Sequence, residues 1–83
     1  MPIQLDARRM GRDEVHAYVK EKLSLPAWYG NNLDALYDCL TDLPETVVVI
    51  EHAAQADDYF RRVQRVFRAA ERENTALTVH IIK

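Results

Sequence analysis

The chain has 83 residues, of which 48% are hydrophobic and 29% charged, a composition typical of a globular protein with one small core. It has no run of about 18 apolar residues that could span a membrane, and its first residues lack the basic and apolar regions of a signal peptide. A lone cysteine, Cys39, cannot form an internal disulfide, so we expect the protein in a reducing cytoplasm. The length and composition predict a single domain over residues 1–83, and we expect no membrane partner.

The charges are unevenly distributed along the chain, although the net charge is only −2. Residues 1–22 carry five basic and four acidic side chains, and residues 61–83 carry six basic and two acidic ones. Residues 23–60, here called the acidic segment, contain seven acids and no lysine or arginine. The seven are Asp34, Asp38, Asp42, Glu45, Glu51, Asp57 and Asp58. Such a block predicts a negative surface that would attract a basic partner.

Hydrophobic spacing predicts three strands separated by three to four helices. A short alternating strand at 3–5 precedes a helix that Asp13 could begin or cap and that continues to about Lys22. The later elements are a helix ending near Thr41, a strand at 46–50, a straight or kinked helix over 53–74, and a strand at 76–82. This order predicts an α/β fold with a three-stranded parallel sheet in the order 1-2-3 and helices mainly on one side. Because residues 46–50 are consecutively apolar, we expect that strand to be buried on both faces.

The second helix and the loop before it dominate the sequence pattern. Pro26 disfavours helix at Leu25, Gly30 supplies a turn position, and Asn31 or Asn32 is suited to cap the new helix. Beyond the cap, apolar side chains recur at helical spacing, which predicts a buried stripe. These are Leu33, Leu36, Tyr37 and Leu40.

Three acids follow one another at four-residue intervals on the same helix, at Asp34, Asp38 and Asp42. A helix brings them into one row, in which like charges repel by roughly 0.2–0.5 kcal/mol per pair. Asp34 is favoured near the helix N-terminus, whereas Asp42 lies at the unfavourable end of the helix dipole. Folding does not require this row, so it predicts a cationic partner.

Trp28 and Tyr29 precede this helix in a segment that is too short to bury both side chains easily. Large aromatic side chains beside a carboxylate are typical anchors of protein interfaces. We therefore expect both to be available to a partner. The alternative for Trp28 is that it fills the gap between two helices.

This stretch resembles the signature of the barstar family, the intracellular inhibitors of barnase-type ribonucleases. The resemblance rests on Leu25-Pro26, Tyr29-Gly30 and residues 32–36 and 38–40, and it extends more weakly over nearly the whole chain. It implies a monomeric inhibitor that forms a 1:1 complex with a basic secreted ribonuclease, and we expect no cofactor, no metal and no bound nucleic acid. The expected partner-binding residues are Trp28, Tyr29, Gly30, Asn32, Asp34, Tyr37, Asp38, Thr41 and Asp42. By resemblance, Asp38 is the principal anchor, in the position of a substrate phosphate, and Asp34 is a second acidic contact.

Several positions depart from the family pattern. Tyr37 replaces a tryptophan, Asp42 and Leu43 replace a Gly-Trp pair, and Ala69 replaces a glutamate that contacts the enzyme. These changes imply a shifted contact area and hence a different cognate toxin. The alternative partner is therefore another nuclease or an unrelated basic toxin.

Two other kinds of function compete with a binding module. Cys39 and His52 could in principle form a nucleophilic dyad, but a lone cysteine on an amphipathic helix is more typically a small buried hydrophobe. Four arginines, at 61, 65, 68 and 72, form a stripe on the third helix that could follow phosphates, pair with the acidic segment, or simply face solvent. The acidic net charge argues against nucleic acid as the partner.

Overall fold

A computed structural model describes residues 2–83, so Met1, which the predicted domain includes, lies outside the described residues. The strands are β1 (Ile3–Asp6), β2 (Thr46–Glu51) and β3 (Leu77–Ile81). The helices are α1 (Val15–Lys22), α2 (Leu33–Thr41) and α3 (Tyr59–Glu73), with short 3-10 turns at Ala7–Arg9 and Ala53–Gln55. The strands form a parallel sheet in the order β1-β2-β3, which confirms the predicted α/β fold. No helix within residues 2–83 is both long enough and apolar enough to cross a membrane.

One face of the sheet forms the floor of the core. Its buried residues alternate along each strand, as Leu5 in β1, Val48 and Ile50 in β2, and Leu77 and Val79 in β3. The other face is more open, because Val47 and Val49 are only half-buried. The prediction that β2 is buried on both faces was therefore wrong. The buried helix residues share one core cluster with the alternating set, and that cluster does not include Val47 or Val49.

The predicted helix over 53–74 is two separate elements. His52 adopts left-handed backbone angles (φ 63°), and Ala56 is extended. These two residues bound the 3-10 turn at Ala53–Gln55 and separate it from α3. The Asp57 carboxylate then accepts a hydrogen bond from the Tyr59 amide (3.0 Å) at the start of α3. The first helix likewise begins later than expected, at Val15, and its N-cap is Glu14 rather than Asp13.

Helix α2 packs against α3, and both contribute to the same core through Leu36, Leu40 and Phe67. The C-terminal end of α2 is fixed by Asn74, whose side-chain amide donates to the carbonyl oxygens of Leu40 and Leu43 at 3.0 Å each. Asn74, the residue that directly follows α3, therefore holds the end of α2 in position.

Candidate partner-binding surface

The two aromatic residues before α2 have opposite environments. Trp28 is 79% exposed, so it does not fill a gap between helices. Tyr29 is only 4% exposed, and its hydroxyl forms a hydrogen bond of 2.6 Å with His16 Nδ1 on α1. The expectation that both side chains are available was therefore wrong for Tyr29. Burial of Tyr29 fixes the loop and leaves Trp28 on the surface.

Helix α1 holds this loop at further points. The Leu25 amide donates to the Lys20 carbonyl (2.9 Å), and the Lys20 ammonium donates to the Ala27 carbonyl (3.4 Å). Ser24 between them takes left-handed angles (φ 53°), which reverses the chain direction after α1. Burial lowers the pKa of His16, so the imidazole that touches Tyr29 is favoured in its neutral form. The loop is thus attached to α1 along most of its length.

The turn into α2 depends on the two asparagines more than on Gly30. Asn31, and not Gly30, takes the left-handed conformation (φ 55°), which asparagine tolerates better than most residues. Asn32 is the N-cap, and its Oδ1 accepts a hydrogen bond from the Ala35 amide (2.8 Å). Its side-chain nitrogen donates to the Gly30 carbonyl (3.2 Å). A side chain at Gly30 would meet Asn32 Nδ2 at 3.3 Å, so Gly30 allows a close approach rather than an unusual backbone angle.

The three acids on α2 are exposed and unpaired. Asp34, Asp38 and Asp42 all face solvent, and Asp34 to Asp42 covers about 12 Å of helix axis at 1.5 Å per residue. Within residues 2–83, the ion pairs are Arg8–Asp6, Arg9–Glu14 and Arg68–Glu71, all of which lie outside the acidic segment. These charges therefore remain available to a partner.

The two remaining predicted contacts on α2 are partly buried. Tyr37 packs against the core with part of its ring in solvent. Thr41 donates its hydroxyl to the Asp38 carbonyl (2.8 Å), an interaction that closes the last turn of the helix. The structure therefore brings Trp28, Gly30, Asn32, Tyr37, Thr41 and the three acids onto one loop and helix, while Tyr29 lies beneath them.

A notch of about 170 Å³ lies at the C-terminal end of α2. Leu25, Cys39 and Leu43 contribute apolar walls, and the exposed side chains of Trp28 and Asp42 also line it. The notch joins the loop aromatic to the last acid of the row.

Cys39 is buried, which confirms its interpretation as a small core residue. Burial raises the pKa of its thiol, and the carboxylates of Asp38 and Asp42 raise it further. A thiol in this setting holds its proton and is a poor nucleophile. Within the described part of the chain, no group of three histidine, cysteine or acidic residues could hold a metal ion.

The arginine stripe on α3 does not pair with the acidic segment through ion pairs. Arg68 is half-buried, and its guanidinium contacts Glu71 (3.1 Å) and donates to the Val79 carbonyl (2.8 Å). Arg61, Arg65 and Arg72 are exposed. Only part of the stripe is therefore free to follow phosphates.

Two residues that shape this surface escaped the sequence analysis. His16 reaches Tyr29 across 13 positions, and Asn74 reaches Leu40 across 34, so neither contact has a local sequence signal.

Comparison with known proteins identifies a family and a relative. A family model described as Barstar (barnase inhibitor) matches residues 1–82. A protein of Bacillus subtilis (strain 168), named putative ribonuclease inhibitor YrdF, is 51% identical over 51 residues. That alignment covers 57% of this chain and 56% of the relative, so it spans little more than half the length of either protein.

Proposed function

The chain belongs to the barstar family, and we propose that it inhibits a basic secreted ribonuclease by placing α2 and the preceding loop in the enzyme's active site. The observation that carries this proposal is the exposed row of Asp34, Asp38 and Asp42, which has no ion-pair partner within residues 2–83. Uncompensated charge on a rigid helix costs some folding stability. A cationic partner surface that neutralises the row on binding would account for this charge.

The chemistry of the target explains why a carboxylate can block it. A ribonuclease must hold the phosphates of RNA, so its active site presents arginine, lysine and histidine in a cleft. The Asp38 carboxylate, in the middle of the row, can occupy a phosphate position without offering a bond to cleave. Because both charges lose water in the complex, the pair gains strength only where the geometry is good, and α2 provides a rigid support.

The neighbouring residues are proposed to complete the contact area. Asp34 lies one turn before Asp38 and can meet a second cation, while Trp28 offers an exposed ring as an anchor. Gly30 lies in the loop before α2, and Thr41 is the last residue of the helix. The role proposed for Tyr29 is to fix the loop from beneath, since its ring is buried.

The identity of the target is proposed to differ from that of the family's type member. Asp42 adds a negative charge at the end of α2, and Ala69 removes one from α3. The negative surface is therefore concentrated on α2, at Asp34, Asp38 and Asp42. A monomer of this protein, acting in the cytoplasm as an immunity protein, would bind the ribonuclease 1:1 before the toxin is exported.

The proposal is tested by measuring RNA cleavage by a barnase-type ribonuclease at increasing concentrations of this protein. We expect inhibition that is complete near a 1:1 ratio. Asp38→Asn should weaken binding by ~2–5 kcal/mol, the usual cost of breaking a desolvated interfacial charge pair. Its unfolding free energy should be unchanged or slightly higher, because one like-charge repulsion is removed.

The matched control is Asp58→Asn, which removes another exposed acid of the same segment that makes no side-chain cap on α3. It should inhibit as well as the parent protein. Equal inhibition by the Asp38 variant and the parent protein would refute the assignment of Asp38. Absence of inhibition across a panel of basic ribonucleases would refute the proposed function itself.

A further inference from the structure

The notch at the end of α2 has the features of a binding site for one side chain. Its volume of about 170 Å³ exceeds the ~150 Å³ of a cavity known to admit benzene, so it has room for about six non-hydrogen atoms. Leu25 and Cys39 are buried in its walls, and Leu43 is half-buried beside them. Trp28 is 79% exposed at this notch, and Asp42 is exposed there too. Apolar walls thus meet one aromatic ring and one carboxylate.

We infer that this notch receives an arginine side chain of the partner protein, with the methylene stem against Leu25 and Leu43 and the guanidinium between the Trp28 indole and the Asp42 carboxylate. The inference rests on the proposed function and deepens it, because it names a chemical feature that the target must carry. It adds a recognition site at the end of α2 to the carboxylate contact at Asp38.

Charge and shape together select arginine over other occupants. The acidic segment contains no lysine or arginine, so no residue of the segment neutralises Asp42. An aliphatic side chain would fill the notch but would leave the carboxylate unused. A lysine would meet the carboxylate but would place a strongly hydrated point charge beside the indole. The planar guanidinium is more weakly hydrated, stacks on aromatic rings and binds carboxylates through paired donors, so it suits both groups at once.

The position of the notch gives it a role in selectivity. Asp42 and Leu43, which contribute its charge and one wall, are two of the positions at which the sequence departs from the family pattern. A target with an arginine at the matching distance from its phosphate site would gain this contact. A target without one would still meet Asp38 but would leave the notch empty.

The inference can be tested without any ribonuclease, with N-acetyl-arginine amide as the probe. The probe is titrated into isotope-labelled protein while amide and indole resonances are followed by NMR. We expect saturable shifts that are centred on Trp28, Leu25 and Leu43, with weaker binding of N-acetyl-lysine amide and N-acetyl-leucine amide. Asp42→Asn should weaken arginine binding about 1.4- to five-fold, the range found for exposed ion pairs. Asp58→Asn, which changes the exposed acid just before α3, is the matched control and should leave arginine binding unchanged.

Leu43→Trp, which fills the notch, should abolish the shifts, and unchanged binding to this variant would place the probe elsewhere and overturn the inference. Three further results would overturn it: no saturable shift up to the solubility limit of the probe, equal binding of the leucine probe, or full affinity of the Asp42 variant. None of these depends on ribonuclease inhibition. If the notch binds no arginine but the protein still inhibits the ribonuclease through Asp38, the proposed function stands.

Discussion

Replacement of Asn74 by alanine should destabilise the protein through the loss of three hydrogen bonds. The side-chain amide donates to the carbonyls of Leu40 and Leu43, and Asn74 Oδ1 accepts from the Ala76 amide, each at 3.0 Å. A net contribution of ~0.5–1.5 kcal/mol per bond gives ~1.5–4.5 kcal/mol in total. Asn74 is half-buried, so water can replace part of the loss, and we expect ~2–3 kcal/mol. For a domain of this size, that corresponds to a fall of ~8–24 °C in Tm.

Urea unfolding at pH 7, followed by far-ultraviolet circular dichroism, measures this change directly. Thr75→Ala is the matched control, because Thr75 is the next residue and is exposed, and it should change the unfolding free energy by no more than ~0.5 kcal/mol. Asn74→Asp keeps the acceptor for Ala76 but points a carboxylate oxygen at two carbonyls. It should be at least as destabilising as the alanine variant at pH 7.

A loss below ~0.5 kcal/mol for Asn74→Ala would refute the reasoning, since exposed substitutions without structural contacts give changes of that size. It would mean that the end of α2 is held by packing alone. If the loss is as large as expected, the same variant should also weaken partner binding, because Leu40 and Leu43 flank Asp42 and fix its position.

Three further predictions concern charge and the thiol. The side-chain hydrogen bond from Arg8 lowers the pKa of Asp6 from 3.8 to about 2. The ionised Asp6 therefore stabilises the fold above about pH 4, and this stabilisation is lost as the pH falls towards 2. Arg8→Ala should flatten that part of a plot of urea midpoint against pH. Cys39→Ala should retain inhibition at a cost of ~1 kcal/mol in stability. The native thiol should react slowly with a thiol reagent, and fast reaction of the folded protein would contradict its burial. The rate constant for association with a basic ribonuclease, measured by stopped flow, should fall from ~10⁸ M⁻¹s⁻¹ at low salt towards ~10⁵–10⁶ M⁻¹s⁻¹ at high salt. A salt-independent rate would show that the acidic segment does not steer the encounter.

The fold could be predicted from the sequence because its local signals agree with one another. Residues 46–50 are all β-branched, and the apolar residues of α2 recur at helical spacing after an asparagine cap. Strands alternating with helices leave few alternatives to a parallel sheet. The error at β2 arose because apolar residues at consecutive positions do not reveal whether a second layer exists: Val47 and Val49 are half-buried.

The candidate site was less predictable, because adjacent residues in the loop differ for reasons that lie elsewhere in the chain. Trp28 and Tyr29 are both large aromatic residues, but Tyr29 packs into the core and bonds to His16 on α1, whereas Trp28 is exposed. The break before α3 depends on left-handed angles at His52, a residue with no strong turn signal. Contacts between distant segments set these choices, and local propensity does not carry them.

The contrast between paired and unpaired charge bears most directly on function. Outside the acidic segment, Arg8, Arg9 and Arg68 form ion pairs, and the guanidinium of Arg12 lies 4.6 Å from the centre of the Tyr59 ring. Inside it, the acids of α2 have no such partner within residues 2–83, and no basic residue occupies the last turn of the helix to balance Asp42. A sequence under pressure for stability alone could place a lysine there at no steric cost, since the position is exposed. Within residues 2–83 no ion pair involves this row, so its charge stays available. In the proposed inhibitor, a row of carboxylates on a helix fixed at both ends would meet the cations of a phosphate-binding enzyme with little loss of conformational freedom.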